Sequence, residues 1–282
     1  MKKVFITFSI AVLIGFFCVG VVGYVTVFMP WNNTESIVKV QVNVAEKEKL
    51  PNIIQRIKSG VVHIMCSEWQ GSGFVVGPNL IMTARHCVKG IEDFTITTDN
   101  GHKLHATRAI SSKDYDVAFI YVDDLTCKAE KCEYKYPCNF TVLRGEHKVE
   151  LSPLELGSIK DCQLGQQIFV IGSPYGKINF NAVSFGIISG VGRSWEELGR
   201  DYGWSVAFTV DSAGHPGNSG CPVFSMDGKV RGILVGGFSP VLISVMPSDL
   251  FLDDLELIEL MFKQDEYQKE VKIDVAAEAW GY

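Results

Sequence analysis

Basic charge is scarce in this chain and nowhere clustered. Its 282 residues hold 26 Lys and Arg against 32 Asp and Glu, a net charge of −6 at neutral pH. Lys2 and Lys3 stand apart from the main body, which is left at about −8. Without a basic stripe the sequence argues against nucleic acid as a partner. No structural period recurs along it, which excludes a solenoid. The cysteine cluster Cys127-x4-Cys132-x5-Cys138 matches no common zinc-ligand spacing and has no histidine close by in sequence. Neither a metal nor a cofactor is expected.

Charge is absent altogether from residues 4 to 31. An apolar segment of that length spans a bilayer as a helix, which takes about 20 residues. A cleaved signal peptide has an apolar region of only about 7 to 15 residues and a small-residue site. No clear Ala-x-Ala occurs, although Gly20 and Gly23 keep cleavage open. The balance favours an uncleaved signal anchor over residues 1–31. The lysines before it, with no basic cluster after it, place the N-terminus in the cytoplasm and the body in the periplasm or outside the cell. Polar residues 32–49 read as a tether. Seven of the eight cysteines lie beyond the segment, an odd number that leaves one thiol free or paired between molecules. The clustered ones are expected in disulfides of an inserted loop, in pairings that spacing does not reveal.

The body is 47% hydrophobic when counted with the rest of the chain, enough for a real core. Leu50-Pro51 opens a short amphipathic helix with Ile53, Ile54 and Ile57 on one face. Strand-like runs then follow at 61–65, 73–76, 80–83, 94–97, 117–122, 167–171, 183–189, 205–210, 222–224, 230–235 and 242–245. Hairpin turns fall at Gly77-Pro78-Asn79, Asp99-Asn100-Gly101 and Asp227-Gly228-Lys229. Many short strands with a helix only at each end argue for barrels or sandwiches. The last helix is expected to start with Ser248 as its N-cap and to run to about residue 266.

Residues 211–222 read Asp-Ser-Ala-Gly-His-Pro-Gly-Asn-Ser-Gly-Cys-Pro. Small residues around Ser219 suit a tight loop that aims its Oγ outward, with the N–H groups of Gly217 and Ser219 as an oxyanion hole. The same residues also fit an ordinary hairpin. A base and an acid elsewhere decide between the two. His86 ends an apolar strand, where an isolated histidine is most often half buried and inert. Asp116 starts another, where Asp is commonly a turn residue; Asp114 is a rival acid. The order His86, Asp116, Ser219 is that of the chymotrypsin arrangement and not of the α/β-hydrolases or subtilisins.

Thr83-Ala-Arg-His-Cys resembles the histidine motif of trypsin-like serine proteases, and Gly71-Ser-Gly-Phe-Val-Val precedes it as in that superfamily. The HtrA/Deg branch is more similar still, through Val61-Val-His-Ile, Leu164-Gly-Gln-Gln-Ile-Phe-Val-Ile-Gly-Ser-Pro-Tyr-Gly, Phe185-Gly-Ile-Ile-Ser-Gly and Met246-Pro-Ser. The resemblance covers about residues 50–250. It implies an all-β protease domain of two six-stranded antiparallel barrels (about 60–150 and 151–247), with a C-terminal helix and tail over 251–282. It makes His86 the general base, Asp116 its orienter and Ser219 the nucleophile.

Departures from the family pattern carry their own implications. Cys221 replaces a second glycine, pointing into the core or straining the loop. His215 either lines the cleft or is solvated. Asn218 stands where trypsins carry the aspartate that pairs with a cut N-terminus, so zymogen activation of that kind is not expected. With so few residues after the barrels, the PDZ domain that HtrA proteins usually append is not expected here. Ala213 sits where trypsins place an aspartate, which argues against cleavage after Lys or Arg. Val235, Gly236, Gly237 and Ile243 form the opposite wall; an intruding Ile243 selects small aliphatic side chains. The expected activity is that of a membrane-anchored endopeptidase acting on polypeptides, with trimerisation as in HtrA relatives left open. A catalytically silent binding module and an esterase with the same triad are the alternatives.

Overall fold

The computed structural model describes residues 48–128, 132–136, 139–143, 146–193, 207–264 and 270–271. The segment 4–31, the tether to residue 47 and Cys138 lie outside these residues, and of Cys132 only the backbone is described. The chain divides into two units, Met1–Lys49 and Leu50–Tyr282. The fold is that of the second.

Helix α1 (Leu50–Ile57) opens it. Pro51 fits here because first-turn N–H groups have no intrahelical acceptor. Ile53 and Ile57, four apart and so on one face, are buried, and Ile54 packs at the edge of the same core. Seven strands follow: β1 (Val61–Met65), β2 (Gln70–Val75), β3 (Leu80–Thr83), β4 (Phe94–Thr97), β5 (Lys103–Ala106), β6 (Arg108–Ser112) and β7 (Ala118–Tyr121). Two small ribbons interrupt the body, one pairing β8 (Thr126–Cys127) with β11 (His147–Lys148), the other β9 (Cys132–Tyr136) with β10 (Asn139–Leu143). Then come β12 (Gln167–Gly172), β13 (Ala182–Arg193), β14 (Ala207–Asp211), β15 (Pro222–Ser225), β16 (Val230–Ser239) and β17 (Leu242–Pro247). Helix α2 (Leu255–Lys263) and the short β18 (Glu270–Val271) complete it.

The two sheets close differently. Strands β12 to β17 form a closed six-stranded barrel in the order β12-β13-β14-β17-β16-β15. The first sheet is open, a half-barrel in the order β18-β6-β7-β3-β2-β1-β4-β5. Successive strand residues face opposite ways, and here both faces are covered. In β12, Ile168 and Val170 point into the closed barrel, while Phe169 and Ile171 join a core shared with the first sheet and both helices. That double burial explains unbroken runs such as 168–171, and each such side chain contributes about 1.5–3 kcal/mol. Phe169 and Phe224 stack in the shared core with ring centroids 5.0 Å apart.

Several features differ from the sequence reading. Strands β5 and β6 were not among the expected runs: in β5 exposed Lys103 and His105 alternate with buried Leu104 and Ala106, too few apolar residues to stand out. The final helix is shorter than expected, beginning at Leu255 after a 3-10 turn over Ser248–Phe251. Ser248 does not cap it; its buried hydroxyl donates to the Val230 carbonyl at 3.0 Å, a tertiary bond that outcompetes the local one. The expected turns are all present, with Gly101 and Gly228 at φ +74° and +84°. Among the described residues no helix is long and apolar enough to cross a membrane.

Candidate active site

Strand β3 ends at Thr83, and a 3-10 turn over Arg85–Cys87 carries His86 to the edge of the first sheet. Arg85 ties that turn to the loop before β7, donating to the carbonyls of Ser112 (3.0 Å) and Lys113 (2.7 Å). Asp116 lies in this loop. Its carboxylate accepts from the His86 backbone N–H at 2.9 Å and from ring Nδ1 at 2.6 Å. An ionised carboxylate only accepts, so Nδ1 carries the proton and Nε2 is left as the basic nitrogen. Asp116 is 2% exposed and the His86 side chain 47%, so the pair is anchored on one side and open on the other. Asp114, the rival acid, is exposed and its backbone N–H bonds the Ser112 hydroxyl.

Burial of the imidazole works against its charge, but the hydrogen bonds to Asp116 and to the neighbouring Cys87 outweigh it. The His86 pKa is raised above its ordinary 6.5. Burial pushes the Cys87 thiol up, so it stays protonated at neutral pH and the anionic partner of His86 is Asp116.

The Ser219 loop hangs from the closed barrel, between β14 and β15. Gly217 and Gly220 both adopt left-handed backbone, φ +98° and +85°. A side chain at Gly217 would strike the Ser173 carbonyl; one at Gly220 would strike the Ser72 carbonyl and the Thr83 hydroxyl. Both positions therefore demand glycine. The Tyr175 N–H donates to the Pro216 carbonyl at 2.6 Å. In a trans peptide the carbonyl and the following N–H point opposite ways, so this bond turns the Gly217 N–H away from the Tyr175 turn. Among the described residues neither the Gly217 nor the Ser219 N–H donates a hydrogen bond.

The loop meets the histidine turn directly: the Ser219 carbonyl accepts from the Ser72 N–H (2.9 Å) and lies 3.9 Å from Cys87 Sγ. Among the described residues no hydrogen bond joins His86 Nε2 to the Ser219 hydroxyl. In the absence of substrate such contacts are often loose. Cys221 is fully buried inside the closed barrel, where burial raises its thiol pKa. His215 is half-buried, stacked on Tyr175 at 5.2 Å, with its Nδ1 3.1 Å from the tyrosine hydroxyl. Cys66, Cys87 and Cys221 are free thiols.

The expected pocket residues only partly converge. Ile243 stands opposite Gly237 in the β16–β17 register; its Cγ2 lies 3.4 Å from where a Gly237 side chain would begin and closer still to that of Gly214. Gly236 faces open space. The Ala213 carbonyl accepts from the Ser184 hydroxyl at 3.1 Å. Ile243 is itself 1% exposed in the core of the closed barrel, and Val235 is buried in the core shared with the first sheet. Val235 keeps the two-residue alternation with Ile233, which lies in the same core, while Leu234 between them faces the closed barrel. Tyr175 and Ser72, which hold the loop, were not flagged as functional; the only signal was their place in the Gly-Ser-Pro-Tyr-Gly and Gly-Ser-Gly phrases. Among the described residues no three His, Cys, Asp or Glu side chains are grouped to hold a metal.

A family model described as a trypsin-like peptidase domain matches residues 71–233. A probable periplasmic serine endoprotease DegP-like from Halomonas elongata is 32% identical over 164 residues, 58% of this chain and 28% of the relative. The protein of that name from Rickettsia prowazekii is 29% identical over 172 residues, 61% and 29% of the two chains. Serine protease HTRA1 of Xenopus tropicalis is 29% identical over 212 residues, 71% and 41%. The matched region thus spans less than half of each of these relatives. Among solved structures, the HtrA-type protease AlgW with tripeptide aligns with a TM-score of 0.59 at 20% identity, covering 77% of this chain and 65% of that one. Deg5 aligns with a TM-score of 0.52 at 23% identity, covering 72% and 90%. At these identities the structures speak to the fold alone.

Proposed function

Since the chain belongs to the trypsin-like peptidase family, we propose that it is a serine endopeptidase of the HtrA kind, with His86, Asp116 and Ser219 as its triad. The observation that carries this reading is the double hydrogen bond of buried Asp116 to His86, set against a loop that only glycines can form. Ser219 Oγ attacks the peptide carbonyl while His86 Nε2 takes its proton; the imidazolium so formed is stabilised by Asp116. The N–H groups of Gly217 and Ser219 hold the oxyanion. His86 then protonates the leaving amine, and water resolves the acyl-enzyme by the same steps.

The reading extends to specificity and place. Ile243 against Gly214 and Gly237 makes the pocket shallow, which suits small aliphatic side chains. The uncharged segment 4–31 acts as an anchor, 32–49 as a tether, and the protease domain faces the periplasm or the exterior. Relatives named as periplasmic are consistent with that side. Polypeptides are the substrates. The unclosed contact between His86 and Ser219 favours one second reading, a silent binding module that keeps the fold without the reaction.

The test uses the full chain in detergent, a fluorophosphonate probe and casein. The wild type takes the label and cleaves casein, and Ser219→Ala loses both, with hydrolysis falling by about 10⁶-fold. A wild type that takes no label refutes the enzyme reading and leaves the binding module. Labelling without cleavage points to ester substrates.

A further inference from the structure

Ser72 is a buried hydroxyl that the catalytic steps do not use, yet it touches every part of the nucleophile loop's support. It sits in β2, with no exposed surface. Its Oγ donates to the Gly217 carbonyl at 2.8 Å and accepts from the Ser173 N–H at 3.0 Å. Its own N–H donates to the Ser219 carbonyl at 2.9 Å. Its carbonyl accepts from the Thr83 hydroxyl at 2.8 Å, three residues before His86. One residue of the first sheet therefore holds the carbonyls of both residues assigned as oxyanion donors, and also the turn that carries Tyr175.

We infer that Ser72 is the positioning residue of the oxyanion hole. The gripped carbonyls belong to the peptide planes that follow Gly217 and Ser219, one pair of backbone dihedrals away from the donor N–H groups, so Ser72 limits where those N–H groups point through the backbone of these two residues. A serine is required rather than alanine, because only a hydroxyl donates to Gly217 while accepting from Ser173. Its burial makes both bonds hard to replace by water. The glycines flanking Ser72 are constrained too: a side chain on Gly71 would meet the Trp69 ring at 2.7 Å and the Ser219 carbonyl at 3.1 Å. The first sheet thus supplies the base, its orienter and the brace of the oxyanion hole. The inference rests on Ser219 as nucleophile for its kinetic meaning, but the contact itself is testable without catalysis.

The experiment compares Ser72→Ala with Ser248→Ala in the full chain. Ser248 is an equally buried hydroxyl on a single backbone carbonyl, at Val230. Amide exchange by mass spectrometry reads the segment 213–220, and hydrolysis of a peptide anilide with valine at the cleaved position gives kcat and KM. Ser72→Ala should quicken exchange across 213–220 and lower kcat at least 10-fold, toward the roughly 10²–10³-fold of a lost oxyanion donor, with KM little changed. Ser248→Ala should do neither, although it loses a buried hydrogen bond of the same kind. Ser72→Cys, a weaker donor of similar size, should fall between wild type and alanine. Exchange at 213–220 that is unchanged in Ser72→Ala, or raised equally in Ser248→Ala, overturns the inference. If the wild type neither hydrolyses nor takes a fluorophosphonate label, the protease reading falls, while the exchange comparison still decides whether Ser72 holds the loop.

Discussion

The open first sheet and the closed second barrel make their parts of the site by opposite means. The first presents side chains: His86 and Asp116 lie on backbone pinned by Arg85 and the Ser112–Asp116 loop, and their chemistry is set by one short ion pair. The second presents backbone: its N–H groups are aimed by left-handed glycines, by the Tyr175 turn and by Ser72 across the seam. Proton transfer depends on charge and tautomer, which side chains control. Oxyanion binding depends on the direction of peptide dipoles, which only backbone shape controls. Damage to the first half should therefore move the pH profile, and damage to the second should lower the rate while leaving the profile in place.

Asp116→Asn is the largest test of that contrast. The neutral amide no longer holds the ring in the required tautomer, and kcat should fall by about 10⁴-fold. The pH response follows from the raised His86 pKa. The base works only when neutral, so wild-type kcat/KM is lost as pH falls through that raised value. Removing the carboxylate lowers the His86 pKa, and the acid limb of the residual activity should move to lower pH. A pH–rate profile that stays in place breaks the assignment of Asp116.

Gly217→Ala attacks the other half. The new methyl strikes the Ser173 carbonyl and resists φ +98°. Losing one oxyanion donor should lower kcat by about 10²–10³-fold. Measured across pH, the acid limb should coincide with that of the wild type. A shifted limb would show that the two halves are not separable as described.

Ile243→Ala sharpens the picture on the barrel side alone. Opening the wall at Gly214 and Gly237 should raise kcat/KM for leucine or phenylalanine relative to valine by roughly 10–200-fold. The cavity should also cost about 2–5 kcal/mol of stability in a denaturant titration. An unchanged preference would remove Ile243 from the pocket.

Much of the candidate site is legible in the sequence, because its members are chemically distinctive and locally marked. His86 after Thr83-Ala-Arg, Asp116 ahead of an apolar strand and Ser219 among glycines each carry a short-range signal. Cys221 was open between core and strain, and the structure buries it in the closed barrel. Asp114 and Asp116 were rivals that two residues of sequence do not separate; one is buried against His86 and the other is exposed. Val235 and Ser248 find surroundings that neighbouring sequence does not show. The first follows Ile233 into the core between the sheets, and a carbonyl on β16 claims the second.

By itself the sequence determined the strand-rich class, the hairpin turns, the chain order of the candidate residues His86, Asp116 and Ser219, and the need for glycine around Ser219. These follow from periodicity, turn chemistry and residue type, all read over a few neighbouring positions. Only the tertiary structure decided that one sheet stays open while the other closes, and that Ser72 reaches Gly217 across 145 residues of chain. Hydrogen bonds of that span depend on how two sheets pack, and packing is settled by the whole core at once rather than by any local pattern.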